Sequence, residues 1–161
     1  GIEKGIDMSY RALNSPNHLG LGSSFFREDA ALAVVYISDE KDHSSNTMPF
    51  FVNFFNSLKA SPDMISAHAI IGEPPTGCRD GSMRADFGEG YYDLSVQLGG
   101  NTYSICSTDW GVQMQNLAWT VIYRGEFDLS LNNPIILVIL LTSQSLICPY
   151  VSSANTGSVI Q

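Results

Sequence analysis

Three carboxylates and two hydroxyls directly follow an apolar run in this sequence. The run is ALAVVYI at residues 31–37, and the polar segment after it is SDEKDHS at residues 38–44. An apolar run without polar alternation is typical of a strand buried on both faces of a parallel α/β sheet. Ligands of such sheets bind beyond the carboxyl ends of the strands, so chemistry is expected at Asp39.

The donor types of this segment favour a hard cation. Carboxylate and hydroxyl oxygens suit Mg²⁺ or Mn²⁺, with Ca²⁺ as an alternative. Asp39 is the first candidate ligand, and Asp42 and Ser44 are secondary candidates. The simpler interpretation is a solvated turn in which Asp42 or Ser44 caps the next helix.

Other motifs that would indicate chemistry are absent from the sequence. His18, His43 and His68 are widely spaced, and neither His-Glu-x-x-His nor Cys-x-x-Cys occurs, so a zinc site is unsupported. We interpret His68, which lies within a predicted strand, as a packed core residue. No phosphate loop, dinucleotide fingerprint or Gly-x-Ser-x-Gly nucleophile elbow is present.

Composition bounds the class of protein. The 161 residues are 44% hydrophobic, enough for one core, and carry a formal net charge of −8. That charge disfavours nucleic acid and anionic membrane surfaces as partners, because both require a basic surface, and it suits a cation or a basic partner. The longest apolar run, residues 135–141, is too short to span a bilayer.

Helices and strands alternate along the first three quarters of the chain. Short links between them predict right-handed crossovers and a doubly wound, Rossmann-like, mostly parallel sheet. Helices are predicted at residues 2–13, from Pro49 to about residue 61, between residues 86 and 98, and after a cap at Thr108 or Asp109. Strands are predicted at residues 31–37, 64–71 and 102–106.

The character of the sequence changes after Arg124. Residues 127–131 alternate between apolar and polar, residues 132–134 (NNP) form a turn, and the apolar run 135–141 follows. We interpret these segments as antiparallel β additions. The predicted organisation is therefore an α/β domain over residues 1–124, a β extension over 125–141 and an unassigned tail over 142–161.

Two of the three cysteines are predicted at one end of the sheet. Cys78 follows the second strand and Cys106 ends the third, so neighbouring strands would permit the Cα separation of up to about 7 Å that a disulfide requires. A disulfide would indicate an oxidising compartment. The alternative is two unconnected buried thiols in a cytosolic protein. Cys148 has no evident partner.

Residues 25–44 resemble the fourth-strand region of von Willebrand factor type A (vWA) domains. The sequence FFREDAALAVVYISDEKDHS is closest to a bacterial envelope subgroup with the form F-R-x-D-A-x-L-A-V-V-x-x-S-D-E-x-D-x-S. GGNTYSIC at residues 99–106 and the pair Asp109-Trp110 also resemble that subgroup, in which a cysteine in the preceding loop accompanies the one at Cys106. The resemblance covers about residues 1–131.

The resemblance implies a cation-dependent adhesion site. In that family a divalent cation is held by an Asp-x-Ser-x-Ser loop, a Thr and a strand-end Asp, and an acidic group of the bound protein completes its coordination. Only the strand-end Asp has a counterpart here, at Asp39. The resemblance therefore implies the C-terminal part of such a domain, with the remaining ligands expected upstream of Gly1 and with low metal affinity in this chain.

The function expected from the sequence is a non-enzymatic protein-binding module outside the cytoplasm, in the periplasm, on the cell surface or secreted. Its partner would be a protein that presents an acidic group to Mg²⁺ or Mn²⁺, with no nucleic acid and no membrane span. Two alternatives remain. One is a hydrolase that uses a metal-activated water at residues 39–44, and the other is a structural domain whose metal site has decayed.

Overall fold

The computed structural model describes residues 2–14, 30–123 and 135–141, and this part of the chain is mixed α/β. Its helices are α1 (Gly5–Asn14), α2 (Met48–Ser57), α3 (Tyr91–Gln97) and α4 (Trp110–Tyr123). Its strands are β1 (Ala31–Ile37), β2 (Ile65–Ile71), β3 (Cys78–Asp80), β4 (Met83–Ala85), β5 (Thr102–Ser104) and β6 (Ile135–Leu141), and a short 3-10 turn, Pro62–Met64, precedes β2.

The elements predicted over residues 2–123 are present, with boundaries shifted by a few residues. The unalternating apolar run at residues 31–37 forms β1. Residues 65–71 form β2, and every residue of β2 is buried, as expected for a strand covered on both faces. Pro49 lies in the first turn of α2, where a missing amide hydrogen costs nothing. Asp109 caps α4, because its Oδ1 accepts from the backbone N–H of Val112 at 3.1 Å.

The larger sheet has four strands in the order β5-β2-β1-β6, and all of its neighbouring strands are parallel. The prediction of an antiparallel addition at residues 135–141 is therefore wrong. β6 pairs in parallel with β1 along its whole length, from Ala31 opposite Ile135 to Ile37 opposite Leu141. The physical reason is the run IILVILL itself, which lacks polar alternation and so has the pattern of a strand inside a parallel sheet, as β1 has. The strand predicted at residues 127–131 lies outside the described residues.

A second, two-stranded sheet was not predicted from the sequence. β3 and β4 pair antiparallel, with Cys78 opposite Ala85, Arg79 opposite Arg84 and Asp80 opposite Met83. Strands of three residues are too short for a period of two to be recognised. This hairpin belongs to the long excursion between β2 and α3.

Helices cover both faces of the four-stranded sheet. On one face α1, α2 and α3 pack over alternate residues of β1 and β2, around Tyr36, Phe55 and Leu94. On the other face Leu117 of α4 packs over Val35 and Ile70. Helices on both faces of a parallel sheet are compatible with a doubly wound fold. None of the described helices is long and apolar enough to cross a membrane.

His68 lies in the centre of β2 and is fully buried, as the sequence predicts for a core residue. Its Nδ1 accepts from the backbone N–H of Asn101 at 3.1 Å, and its Nε2 lies 3.1 Å from the hydroxyl oxygen of Ser66. Because both ring nitrogens have partners inside the protein, this imidazole has a structural role.

Candidate functional site

All three sequence-predicted metal ligands lie on one loop at the carboxyl end of the parallel sheet. This loop, residues 38–47, connects β1 to α2 and is called the acidic loop below. The structure places Asp39, Asp42 and Ser44 in different environments. Asp39 is exposed, whereas Asp42 and Ser44 are half-buried. The three side chains therefore differ in what they can bind.

Asp42 and Ser44 bind the first turn of α1. Asp42 Oδ1 accepts from the backbone N–H of Ile6 at 3.3 Å, and Ser44 Oγ accepts from the backbone N–H of Asp7 at 2.7 Å. Ser44 also donates to Asp42 through its backbone N–H and its hydroxyl, each at 3.0 Å. The first amides of a helix have no partner within that helix, so this pair caps α1 from a distant segment of the chain.

The simpler interpretation of the acidic loop is that Asp42 or Ser44 caps the next helix. These residues do cap a helix, but it is α1 and not the next one. The next helix is α2, whose N-cap residue Thr47 makes no side-chain capping bond. Asp42 and Ser44 act instead on α1, more than thirty residues earlier in the chain. Sequence spacing cannot reveal this, because a cap supplied across the fold has no fixed offset from its helix.

Further contacts fasten the segment before α1 to the acidic loop. The backbone N–H of His43 donates to the carbonyl of Glu3 at 2.8 Å, and the Ser38 hydroxyl donates to the Glu3 carboxylate. In the other direction, the backbone N–H of Ser45 donates to Oδ2 of Asp7 at 2.9 Å. α1 and the acidic loop are therefore joined through both backbone and side chains.

The chain before α3 holds the other side of the acidic loop. The backbone N–H of Asp86 donates to the carbonyl of Asp39, and that of Asp42 donates to the carbonyl of Glu89, both at 2.9 Å. Gly90 has a φ of +88°, and a Cβ built on it would lie 2.9 Å from Cβ of Asp42. A residue with a side chain at position 90 would thus be strained and would press on the acidic loop.

Asp39 differs from its neighbours because its carboxylate is exposed and makes no hydrogen bond or ion pair to another described residue. Its backbone carbonyl, in contrast, accepts from the backbone N–H of Asp86. Its strand, β1, lies between β2 and β6, so Asp39 stands at the carboxyl end of an interior strand, where ligands of parallel sheets bind.

Fewer side chains of the acidic loop are free to bind a cation than the sequence predicts. Asp39 fits a hard cation, since it is an unengaged oxygen donor. Asp42 and Ser44 fit poorly, since their oxygens already serve the amides of α1. Within residues 2–14, 30–123 and 135–141, no group of three or more His, Cys, Asp or Glu side chains is placed to hold a metal ion.

Two buried tyrosines lie beneath the acidic loop. The Ser9 hydroxyl donates to the carbonyl of Ile6, which leaves the Tyr36 hydroxyl as donor to Ser9 Oγ at 2.8 Å. The Tyr91 hydroxyl accepts from the backbone N–H of Gly5 at 3.1 Å. Burial raises the pKa of Tyr36 and of Tyr91 well above the ordinary tyrosine value. The charge of Asp42 raises both pKa values further.

The raised pKa of Tyr36 predicts alkaline destabilisation. In the unfolded chain a tyrosine ionises near pH 10, whereas folded Tyr36 stays protonated, so its contribution is complete below about pH 10 and is lost as the pH rises further. We expect the free energy of unfolding to fall by about 1.4 kcal/mol per pH unit from this residue above pH 10. Urea unfolding measured between neutral pH and pH 11 tests this, and an alkaline slope that is equally steep in Tyr36→Phe would contradict it.

A disulfide joins Cys78 to Cys106, with a Cα separation of 6.0 Å. The two strands that the sequence analysis required to be neighbours, β2 and β5, do pair. The bond ties the start of β3 to the segment that follows β5. The bond thereby anchors the segment between β2 and α3, residues 72–90. The same segment supports the acidic loop through Asp86 and Glu89.

Several residues of the site were not found by sequence reasoning. Glu3, Asp7 and Tyr91 all contact the acidic loop or its partners. Glu3 and Asp7 stand at the start of a predicted amphipathic helix, where acidic residues are common for reasons of the helix dipole alone. Tyr91 lies in the helix predicted between residues 86 and 98, and a sequence does not show which hydroxyl faces the end of another helix.

Comparison with known proteins gives no family for this chain. A scan against protein-family models, a search of curated proteins and a search of solved structures each found no match.

Proposed function

We propose that this chain is a non-enzymatic protein-binding module of the vWA type, in which Asp39 supplies one ligand to Mg²⁺ or Mn²⁺. An acidic group of the partner protein completes the coordination of the cation. One observation carries the proposal: the Asp39 carboxylate is exposed at the carboxyl end of an interior parallel strand and is not engaged by any other described residue.

The contrast between Asp39 and Asp42 supports this assignment. A carboxylate that accepts hydrogen bonds from a helix N-terminus is already satisfied, and a metal would have to displace those bonds. Asp39 would lose only water on binding a cation. The acidic loop that carries it is held on two sides, by α1 and by residues 86–89, so little ordering is required when the cation binds.

We place the module outside the cytoplasm. The support is the Cys78–Cys106 disulfide, because disulfides persist in oxidising compartments and are rare in the cytosol. The resemblance of residues 25–44 to the bacterial envelope subgroup agrees with this location.

Binding of Mn²⁺ alone tests the assignment of Asp39. We expect the chain to bind Mn²⁺ weakly, with a Kd of about 1 mM, as for open carboxylate sites with few protein ligands. Asp39→Ala should weaken this binding at least about tenfold, which corresponds to 1.4 kcal/mol. The measurement is the loss of the free Mn²⁺ signal in electron paramagnetic resonance titrations.

Asp63→Ala is the matched control, since Asp63 is equally exposed but stands before β2, at the opposite end of the sheet. It should leave Mn²⁺ binding unchanged. Equal affinities of the unmodified chain and Asp39→Ala would show that Asp39 is no ligand. A chain that binds no Mn²⁺ would instead indicate a structural domain.

A further inference from the structure

The β3–β4 hairpin places two arginines directly opposite each other. Arg79 on β3 is the register partner of Arg84 on β4, and the two-residue turn between the strands contains Gly81 at a φ of +56°, as tight hairpin turns require. Directly opposed residues of an antiparallel pair project from the same face, with Cβ atoms about 5 Å apart. The two guanidinium groups therefore belong to one surface.

The neighbouring residue pair determines which surface this is. Cys78 and Ala85 occupy the other face of the hairpin, and that face is turned toward the protein, since Ala85 is 4% exposed and Cys78 is bonded to Cys106. Side chains alternate between the two faces of a strand. Because the disulfide holds the face with Cys78 against the protein, Arg79 and Arg84 lie on the face that is exposed to solvent. Both residues are exposed, and the Arg84 side chain is 64% exposed.

This arrangement is costly for the hairpin alone. Like charges directly opposite each other destabilise an antiparallel pair. The compensating ion pair between Arg84 and Asp86 is long, at 3.6 Å, and Asp86 is 71% exposed, so water screens it and it contributes little. No hydrogen bond or ion pair joins the Arg79 side chain to another described residue. Two of the eight basic residues of an acidic chain are thus held side by side without a strong internal partner.

A backbone hydrogen bond joins the chain just after the hairpin to the proposed cation ligand. Asp86, two residues after Arg84, donates its backbone N–H to the carbonyl of Asp39 at 2.9 Å. A guanidinium group binds a carboxylate through two parallel hydrogen bonds. The hairpin joined to Asp39 in this way thus carries two groups that match the carboxylates of an acidic segment.

We propose that Arg79 and Arg84 form a docking surface for an acidic segment of the partner protein, with carboxylates as the groups they bind. The inference rests on the proposed function in that it names the chemistry of that partner. A nucleic acid fits less well, because the net charge of −8 repels a polyanion along its whole length. A short acidic segment is repelled by fewer of the protein's carboxylates than a long polyanion is, because it covers only the surface around Arg79 and Arg84.

A fluorescent oligoglutamate peptide is the probe, and fluorescence anisotropy at low salt is the measurement. We expect the full chain to bind the peptide in EDTA, with an affinity that falls as salt is added. The double variant Arg79→Ala/Arg84→Ala should bind about tenfold more weakly, the size expected for two exposed charge pairs. Arg11→Ala, which removes one exposed positive charge from α1, is the matched control and should bind as the unmodified chain does.

The outcomes separate this proposal from the proposed function. The peptide titration is made in EDTA and does not depend on a bound cation. Failure of Mn²⁺ to bind at Asp39 therefore does not affect the peptide result, and failure of the peptide to bind does not affect the Mn²⁺ result. Equal peptide affinity in the double variant and the unmodified chain would overturn the proposal, as would tighter binding of an oligothymidylate of the same length. The double variant removes a like-charge pair, so its thermal midpoint should be unchanged or higher, which confirms that it is folded.

Discussion

Replacing Asp42 with alanine is expected to lower the free energy of unfolding by about 2–3 kcal/mol. The Asp42 carboxylate accepts from the backbone N–H of Ile6 and from two donors of Ser44. Alanine leaves these half-buried donors without their acceptor and removes a helix cap. Chemical unfolding followed by circular dichroism measures the change.

Two further variants make the Asp42 result specific. Asp42→Asn keeps one carbonyl oxygen that can accept from Ile6, but it replaces the other oxygen with an amide donor that cannot accept from Ser44. We therefore expect the free energy of unfolding to fall by about half as much as in Asp42→Ala. Asp39→Ala removes a carboxylate three residues away that caps nothing, and it should change stability by less than about 0.5 kcal/mol. If Asp39→Ala and Asp42→Ala destabilise the chain equally, the capping role assigned to Asp42 is wrong.

Removing the disulfide is expected to have a larger effect. The bond closes a loop with a sequence separation of 28 residues, for which the loss of chain entropy in the unfolded state corresponds to about 3–4 kcal/mol. The double variant Cys78→Ala/Cys106→Ala should therefore unfold at a much lower denaturant concentration. Reduction of the unmodified chain should give the same shift.

A reductant control separates this disulfide from Cys148. The double variant should show no further change when a reductant is added, whereas a further shift would point to another redox-sensitive thiol.

The local effect of losing the disulfide is also testable, since the hairpin buries little besides Ala85. Amide hydrogen exchange should increase first in residues 72–90. An unfolding midpoint that is the same in the double variant and the unmodified chain would contradict the stabilising role of the bond.

The sequence predicted the elements of the main sheet well because their signals are local. The apolar run of β1, the β2 segment at residues 65–71 and the cap that starts α4 at Asp109 each fall within one element or at its end. The pairing of β6 was missed, although its run IILVILL has the same unalternating pattern as β1. The turn-forming residues 132–134 (NNP) just before it are typical of a hairpin, which favours an antiparallel partner.

The candidate site was predicted in position but not in detail. The expected place of Asp39, at the carboxyl end of a buried parallel strand, follows from one local pattern and one general rule. The separation of roles between Asp39 and Asp42 depends on which groups lie opposite the acidic loop in space. Those groups come from α1 and from the segment before α3, and no local sequence pattern specifies such contacts.

The position of β6 also determines the order in which this fold can be completed. β1 has β6 as one neighbour, and Ala31 pairs with Ile135, so this contact closes a loop of about a hundred residues, which is slow to form. During synthesis the β1 edge facing β6 stays unpaired until residues 135–141 have emerged. The apolar runs of β1 and β6 therefore wait longest for this pairing, which leaves the unpaired β1 edge open to misassociation.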